Sequence, residues 1–160
     1  MQEFTYKQVE DGTYAVSGYT GDEAEIVIPP YLGTITILSD KLFAGHSEIT
    51  SVTIPDTVTD MGEFLFDGCT ELRSIKLPAS LERLWGLTFV RCGIEEIELP
   101  DGLRTIPPFA FKECRNLKKV VCGKGLKHIY DWAFCGCDAL KEVQHGDETV
   151  VDERAFETKR

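Results

Sequence analysis

The sequence predicts a solenoid, a single stack of short coils in which no coil has a core of its own. Three periodic columns predict it. Phenylalanine recurs at Phe43, Phe66, Phe89, Phe111, Phe134 and Phe156, at intervals of 23, 23, 22, 23 and 22 residues. Three positions after the first five rings comes His46, Cys69, Cys92, Cys114 and Cys137. Later in each unit an inward pair alternates with one outward residue: Val52/Ile54, Ile75/Leu77, Ile97/Leu99, Val120/Cys122 and Val143/His145. That alternation is the period of a strand with one face buried.

The elements follow in chain order. Phe4–Val9, Glu10-Asp11-Gly12 and Tyr14–Tyr19 read as a β-hairpin with an Asp-Gly turn, placed to cap the first coil. Glu25-Ile26-Val27-Ile28-Pro29 reads as the first strand of the stack, and a small insertion is expected near Pro30–Gly33. Each later unit has one strand of the form apolar-x-apolar, closed by Pro55, Pro78 or Pro100, or by Gly123 or Gly146 in the same place. Proline suits a strand end because it cannot donate a ladder hydrogen bond. Behind each closing residue lies a second apolar pair: Val58/Met61, Leu81/Leu84, Leu103/Ile106 and Leu126/Ile129. Cys92-Gly93-Ile94 is one residue shorter than Cys69-Thr70-Glu71-Leu72, a deletion expected to fall in a turn and spare the strand register. From Gln144 onward the chain carries acids and Phe156 but no further strand pattern. The expected organisation is a hairpin cap over 1–25, about five coils over 26–145 and a half-unit closure over 146–160.

These residues resemble a known family. The run Ile54-Pro55…Val58…Met61-Gly62…Phe66…Cys69…Leu72…Ile75-x-Leu77-Pro78 is similar to the BspA-like leucine-rich repeat, a bacterial and protozoan class. The opening Phe4-Thr5-Tyr6…Asp11-Gly12-Thr13…Gly18-Tyr19 resembles the leader that commonly precedes such repeats. The resemblance implies a leucine-rich-repeat solenoid, mainly β with irregular or short helical turns, and a parallel sheet on one face. It also implies non-enzymatic protein binding or scaffolding, with secreted or cell-surface adhesion to host proteins as the alternative. The start, Met1-Gln2-Glu3-Phe4-Thr5-Tyr6, lacks the basic-then-apolar pattern of a signal peptide, which by itself predicts a cytoplasmic chain.

Composition narrows the partner classes. The 160 residues are 42% hydrophobic and 28% charged, an ordinary globular balance. Seventeen Lys and Arg against 27 Asp and Glu give a formal charge of −10, which disfavours nucleic acid. No apolar run approaches the roughly 20 residues of a membrane span. The six cysteines contain no C-x-x-C pair, so free structural thiols are expected and no metal or cofactor is. Gly123-Lys124-Gly125 lacks the third glycine and the helix of a phosphate cradle. Glu96 and Glu98 flank Ile97 on one strand, about 6.6 Å apart, but on an open sheet with nothing to desolvate either carboxyl.

Two surfaces remain as candidates. The outward columns of the sheet place Ser74, Lys76, Glu96, Glu98, Lys119 and Glu142 on one face, where a protein partner is expected. The second surface is aromatic: Trp85, Phe109, Tyr130 and Trp132. Trp85 and Tyr130 stand where such repeats commonly carry glycine, so packing does not require them. Self-association through this patch is the accompanying expectation.

Overall fold

The computed structural model describes residues 1–29 and 33–158, and there the six phenylalanines form one spine. Phe43, Phe66, Phe89 and Phe111 are fully buried and Phe134 is 1% exposed. Their rings stack at 5.8, 5.3, 5.2 and 5.2 Å, and Phe156 continues the stack on Phe134 at 5.4 Å. Each ring covers its neighbour's face, so the burial that one coil of 22–23 residues lacks is supplied by the next. The cysteine column lies beside the spine, and its thiols donate to carbonyls of the preceding coil. Cys69 Sγ reaches Phe43 O at 3.3 Å, Cys114 reaches Phe89 O at 2.9 Å and Cys137 reaches Phe111 O at 3.0 Å. His46 is not equivalent to these cysteines. It sits half-buried at the cap, edge-on to Tyr19 at 5.0 Å, with Nδ1 2.8 Å from Glu48.

The hairpin forms as expected, from β1 (Glu3–Gln8) and β2 (Tyr14–Thr20), antiparallel with a register shift at Thr5/Tyr6. Gly12 takes φ +85°, a conformation that strains any residue with a Cβ. Asp11 Oδ1 accepts from Thr13 N at 2.9 Å and Oγ1 at 2.6 Å, which fixes the turn. Tyr19 bridges Phe4 (5.2 Å) and Phe43 (5.3 Å), so the hairpin closes the N-terminal end of the spine. Of the insertion expected near Pro30–Gly33, residues 30–32 lie outside the described residues.

Two expectations need correction. Among the described residues there are about six coils, not five, and each later unit has two strand positions on two faces, not one. The first face holds β3 (Glu25–Val27), β5 (Ser51–Thr53), β8 (Glu96–Glu98), β10 (Lys119–Val121) and β12 (Glu142–Gln144). The second holds β4 (Ile35–Leu38), β6 (Asp60–Met61), β7 (Arg83–Leu84), β9 (Thr105–Ile106), β11 (His128–Ile129) and β13 (Val150–Val151). β13 is the strand that the C-terminal pattern did not suggest, and it completes the sixth coil. All pairs in the stack are parallel, and the hairpin joins the second face through β2 beside β4.

Both faces are interrupted at the third coil. The first-face ladders are β3-β5 and β8-β10-β12; the second-face ladders are β2-β4-β6-β7 and β9-β11-β13. On the second face one of the missing bonds traces to a proline. Gly62, Trp85, Tyr130 and Asp152 donate their N–H to Leu38, Met61, Ile106 and Ile129 at 2.9, 3.1, 3.1 and 2.9 Å. Pro107 occupies the same position with no N–H, so the Leu84 carbonyl loses the bond that would join β7 to β9. On the first face the expected strand at Ser74–Lys76 does not form, and this too is a correction. The shortened turn of the fourth coil lies against the third. A Cβ on Gly93 would fall 2.0 Å from the Thr70 carbonyl oxygen. The deletion keeps β8 in register with β10, Glu96 beside Lys119, but leaves 74–76 outside either ladder.

A third ladder crosses this seam unbroken. In the turns Phe66 N donates to Thr88 O and Phe89 N to Ala110 O, both at 2.9 Å. Amide hydrogen exchange is therefore expected to open first at Ser74, Ile75 and Lys76 and late at Phe66, Phe89 and Val120. Protection at Ser74–Lys76 equal to that at Val120 would contradict this account of the seam.

Candidate functional site

The first-face candidates are only partly brought together. Lys119 lies in register between Glu96 and Glu142, with Nζ 3.9 Å from Glu142 Oε2. Gln144 Nε2 also donates to that carboxylate. Glu98 faces Val121 across the ladder, and Ser74 and Lys76 stand outside it on the third coil. Exposed pairs of this kind contribute roughly 0–1 kcal/mol. The nearest concavity is an open depression of about 330 Å³ at the seam, lined by Arg73, Ser74, Glu95, Glu96 and Lys118. Glu96 and Glu98 point outward from one exposed strand on either side of the buried Ile97. This face carries charge without depth.

The aromatic candidates divide into two rows, a separation the spacing alone did not reveal. Phe109 and Trp132 lie on the turn rim, half-buried, with ring centroids 6.3 Å apart. Lys112 Nζ sits 5.5 Å over the Phe109 ring and the Arg154 guanidinium 5.6 Å over Trp132. Their column, Lys41, Phe64, Leu87, Phe109 and Trp132, is left-handed throughout, with φ of 57–63°. Each such residue costs roughly 1–2 kcal/mol of local strain, which the surrounding turn ladder offsets. Large residues concealed this conformation from a reading that looks for glycine. A clue lay four positions on, where Gly45, Gly68 and Gly136 share a second left-handed column with Arg91 and Glu113.

Trp85 and Tyr130 form the other row, on the outward side of the second face. They are 45% and 36% exposed, whereas the inward residues Leu84 and Ile129 are 3% and 0% exposed. Both rings are held from the same side by the residue two positions before them. The Arg83 guanidinium lies 5.5 Å over the indole, steadied by Asp60 at 3.6 Å. The His128 imidazole stacks on Tyr130 at 4.0 Å and 1°. His128 Nε2 is 2.6 Å from Asp152 Oδ1, and Asp152 Oδ2 accepts the Asp131 N–H at 3.0 Å. The His128 hydrogen bond, joined by that backbone N–H, holds the Asp152 carboxyl below its ordinary value. Pro107 lies between the two rings in the same outward column, so the row is apolar across three coils.

Comparison with known proteins gives a consistent picture. The family described as BspA type leucine rich repeat region matches residues 36–160 in six copies. The crystal structure of a T. pallidum leucine-rich repeat protein is 26% identical, covering 92% of this chain and 82% of its own, with TM-score 0.75. A leucine-rich cell surface protein from Faecalibacterium prausnitzii is also 26% identical, over 98% of this chain and 46% of its own, with TM-score 0.76. The pneumococcal vaccine antigen PcpA shares the fold at TM-score 0.74 and 20% identity, over 94% of this chain and 40% of its own. This chain thus spans less than half the length of the last two. Among curated proteins none matches.

Proposed function

Because the chain belongs to the BspA-type leucine-rich repeat family, we propose that it is a non-enzymatic protein-interaction module whose contact surface is the aromatic row on the second face. The observation that carries this is the pair Trp85 and Tyr130, two large rings that the spine does not need, held upright in solvent by Arg83 and His128. Trp, Tyr and Arg dominate binding energy at protein interfaces because they bury large area around a polar handle. A rigid stack also loses little conformational freedom on binding. Burial pushes the Cys92 thiol up to about 12 and the Cys122 thiol up to about 11, which makes these two poor nucleophiles.

The test compares two surfaces in one protein. A Trp85→Ala/Tyr130→Ala variant is expected to weaken a purified protein partner at least about tenfold, the cost of losing central aromatic anchors. Reversal of the charged face, Glu96→Lys/Glu98→Lys/Glu142→Lys, is expected to change that affinity by no more than a few fold. The opposite ranking in calorimetry would move the interface to the first face. All five positions are exposed, so the aromatic variant should keep its thermal stability, while the reversal sets a lysine in register on each side of Lys119 and should lower it slightly.

A second reading, surface display, is favoured by one observation: the Faecalibacterium protein that matches 98% of this chain is described as a cell surface protein. Protease shaving of intact native cells checks it, with loss of the chain expected and full protection counting against display.

A further inference from the structure

The geometry points to Cys114 and Cys137 as a disulfide site, where a small-molecule disulfide oxidises two interior thiols into a staple between the fourth and fifth coils. All six cysteines are free in the folded chain. Four of them, Cys69, Cys92, Cys114 and Cys137, share one column and so offer three pairs on neighbouring coils. Register and contact select one pair of the three.

Cys114 and Cys137 are 23 positions apart. The strands before them pair Thr105 with His128 and Ile106 with Ile129, also at a separation of 23. The strands after them pair Lys119 with Glu142 and Val120 with Val143, at 23 again. Between these ladders Phe111 N donates to Ala133 O at 2.9 Å, and the Phe111 and Phe134 rings stack at 5.2 Å. The two cysteines are therefore held opposite one another from both sides, at a step inside the roughly 4.4–6.8 Å between Cα atoms that a disulfide spans. The other pairs lack this frame. Cys92 and Cys114 are 22 positions apart, but the strands after them, β8 and β10, pair at 23, because the deletion at Gly93 falls between. Cys69 and Cys92 follow the pairing of β6 with β7, but the seam leaves no strand pair after them.

The side chains make the same choice. Burial and then a side-chain hydrogen bond with Cys137 raise the Cys114 thiol, so these two sulfurs are in contact. Cys69 registers only the charge of Cys92. Cys137 Sγ is aimed back at the fourth coil, reaching Phe111 O at 3.0 Å, three residues before Cys114. Cys92 Sγ is turned toward Leu72 O at 4.0 Å.

Cys114 and Cys137 are 0% and 4% exposed, so exchange runs through local opening. Cys137 opens first, since it lies on a turn between Gly136, at φ +80°, and the exposed Asp138. Its thiolate attacks the small disulfide, forming a mixed disulfide and releasing one small thiolate, which takes a proton from water. The Cys114 thiolate then attacks the Cys137 sulfur and the second small thiolate leaves and is protonated. Two protein thiols are oxidised to one disulfide while the reagent is reduced to two thiols. A close-packed interior cannot reclose over the bulkier mixed disulfide, which favours the second exchange.

The test treats the purified chain with oxidised glutathione at pH 8, in buffer and in urea below the unfolding midpoint, and maps tryptic peptides without reduction. The expected product has lost two hydrogen atoms and joins peptide 113–115 to peptide 128–141, faster in urea because opening gates the reaction. Cys69→Ala and Cys135→Ala should keep this crosslink and Cys137→Ala should lose it. Should Cys137→Ala fail to fold, the map of the Cys135→Ala chain decides alone, because Cys137 is then the one cysteine in peptide 128–141. The oxidised chain should also unfold at higher urea, by about a hundredfold in the folding equilibrium for a closed loop of this length. Links from Cys69 to Cys92 or from Cys92 to Cys114 in equal yield overturn the inference. So does a product that stops at mixed disulfides, or an oxidised chain that unfolds at lower urea than the reduced one.

Discussion

Replacing Phe89 by alanine is expected to cost about 3–5 kcal/mol, the range for emptying a buried aromatic site. Phe89 is fully buried between Phe66 at 5.3 Å and Phe111 at 5.2 Å, so no side chain can swing into the gap without leaving its own stack. The position is more demanding than its burial suggests. At this coil both sheet ladders are broken, and the phenyl spine and turn ladder join the two halves with few other backbone bonds, among them Glu95 N–H to Arg73 O at 2.9 Å and Gly93 N–H to Cys69 O at 3.1 Å. A loss of this size is a large part of the roughly 5–15 kcal/mol that holds a domain folded. In urea the midpoint should fall steeply, and the transition should broaden as the coils before and after the seam uncouple. Phe156→Ala is the internal comparison, because its ring has a single stacking partner and is 42% exposed. Similar losses for the two variants would show that the spine does not bridge the seam.

The second large effect is alkaline unfolding driven by the interior thiols. Burial raises Cys92 from its ordinary 9.0 to about 12, and raises Cys69 and Cys114 as well. A thiol raised on folding stays protonated in the native chain while the unfolded chain ionises. The native state then binds more protons, and stability falls as pH rises. Below about pH 9 the contribution is fully present. Between pH 9 and 12 each such thiol shifts the folding equilibrium up to about tenfold per pH unit, so three together approach a thousandfold. Urea midpoints measured from pH 7 to 11 should be flat at first and then fall sharply above pH 9. A Cys69→Ala/Cys92→Ala/Cys114→Ala variant should start lower but show a shallower fall. Equal slopes would assign the alkaline transition to other groups. The same burial predicts negligible alkylation of these three thiols in the native chain at pH 8 and full reaction once it is denatured.

The sequence alone determined the period, the phenyl spine and the hairpin at its N-terminal end. It could do so because stacking forces the same residue type into the same slot at every coil, which turns a three-dimensional contact into a one-dimensional repeat. Trp85 and Tyr130 stood out for the converse reason, as large rings in a slot that packing leaves to glycine. What it did not reveal was the second ladder, because strands of two residues, such as Asp60–Met61 or Val150–Val151, are too short to show alternation. Nor did it reveal the seam. A ladder bond needs a donor on one coil and an acceptor on the next, so the consequence of Pro107 falls on Leu84, 23 positions away. Only the folded chain showed Ser74 and Lys76 falling outside the ladder, Phe109 and Trp132 turning onto the rim, and Trp85 and Tyr130 exposed on the outward side of the second face. Those depend on how neighbouring coils bond to one another, and repeat spacing carries no record of that.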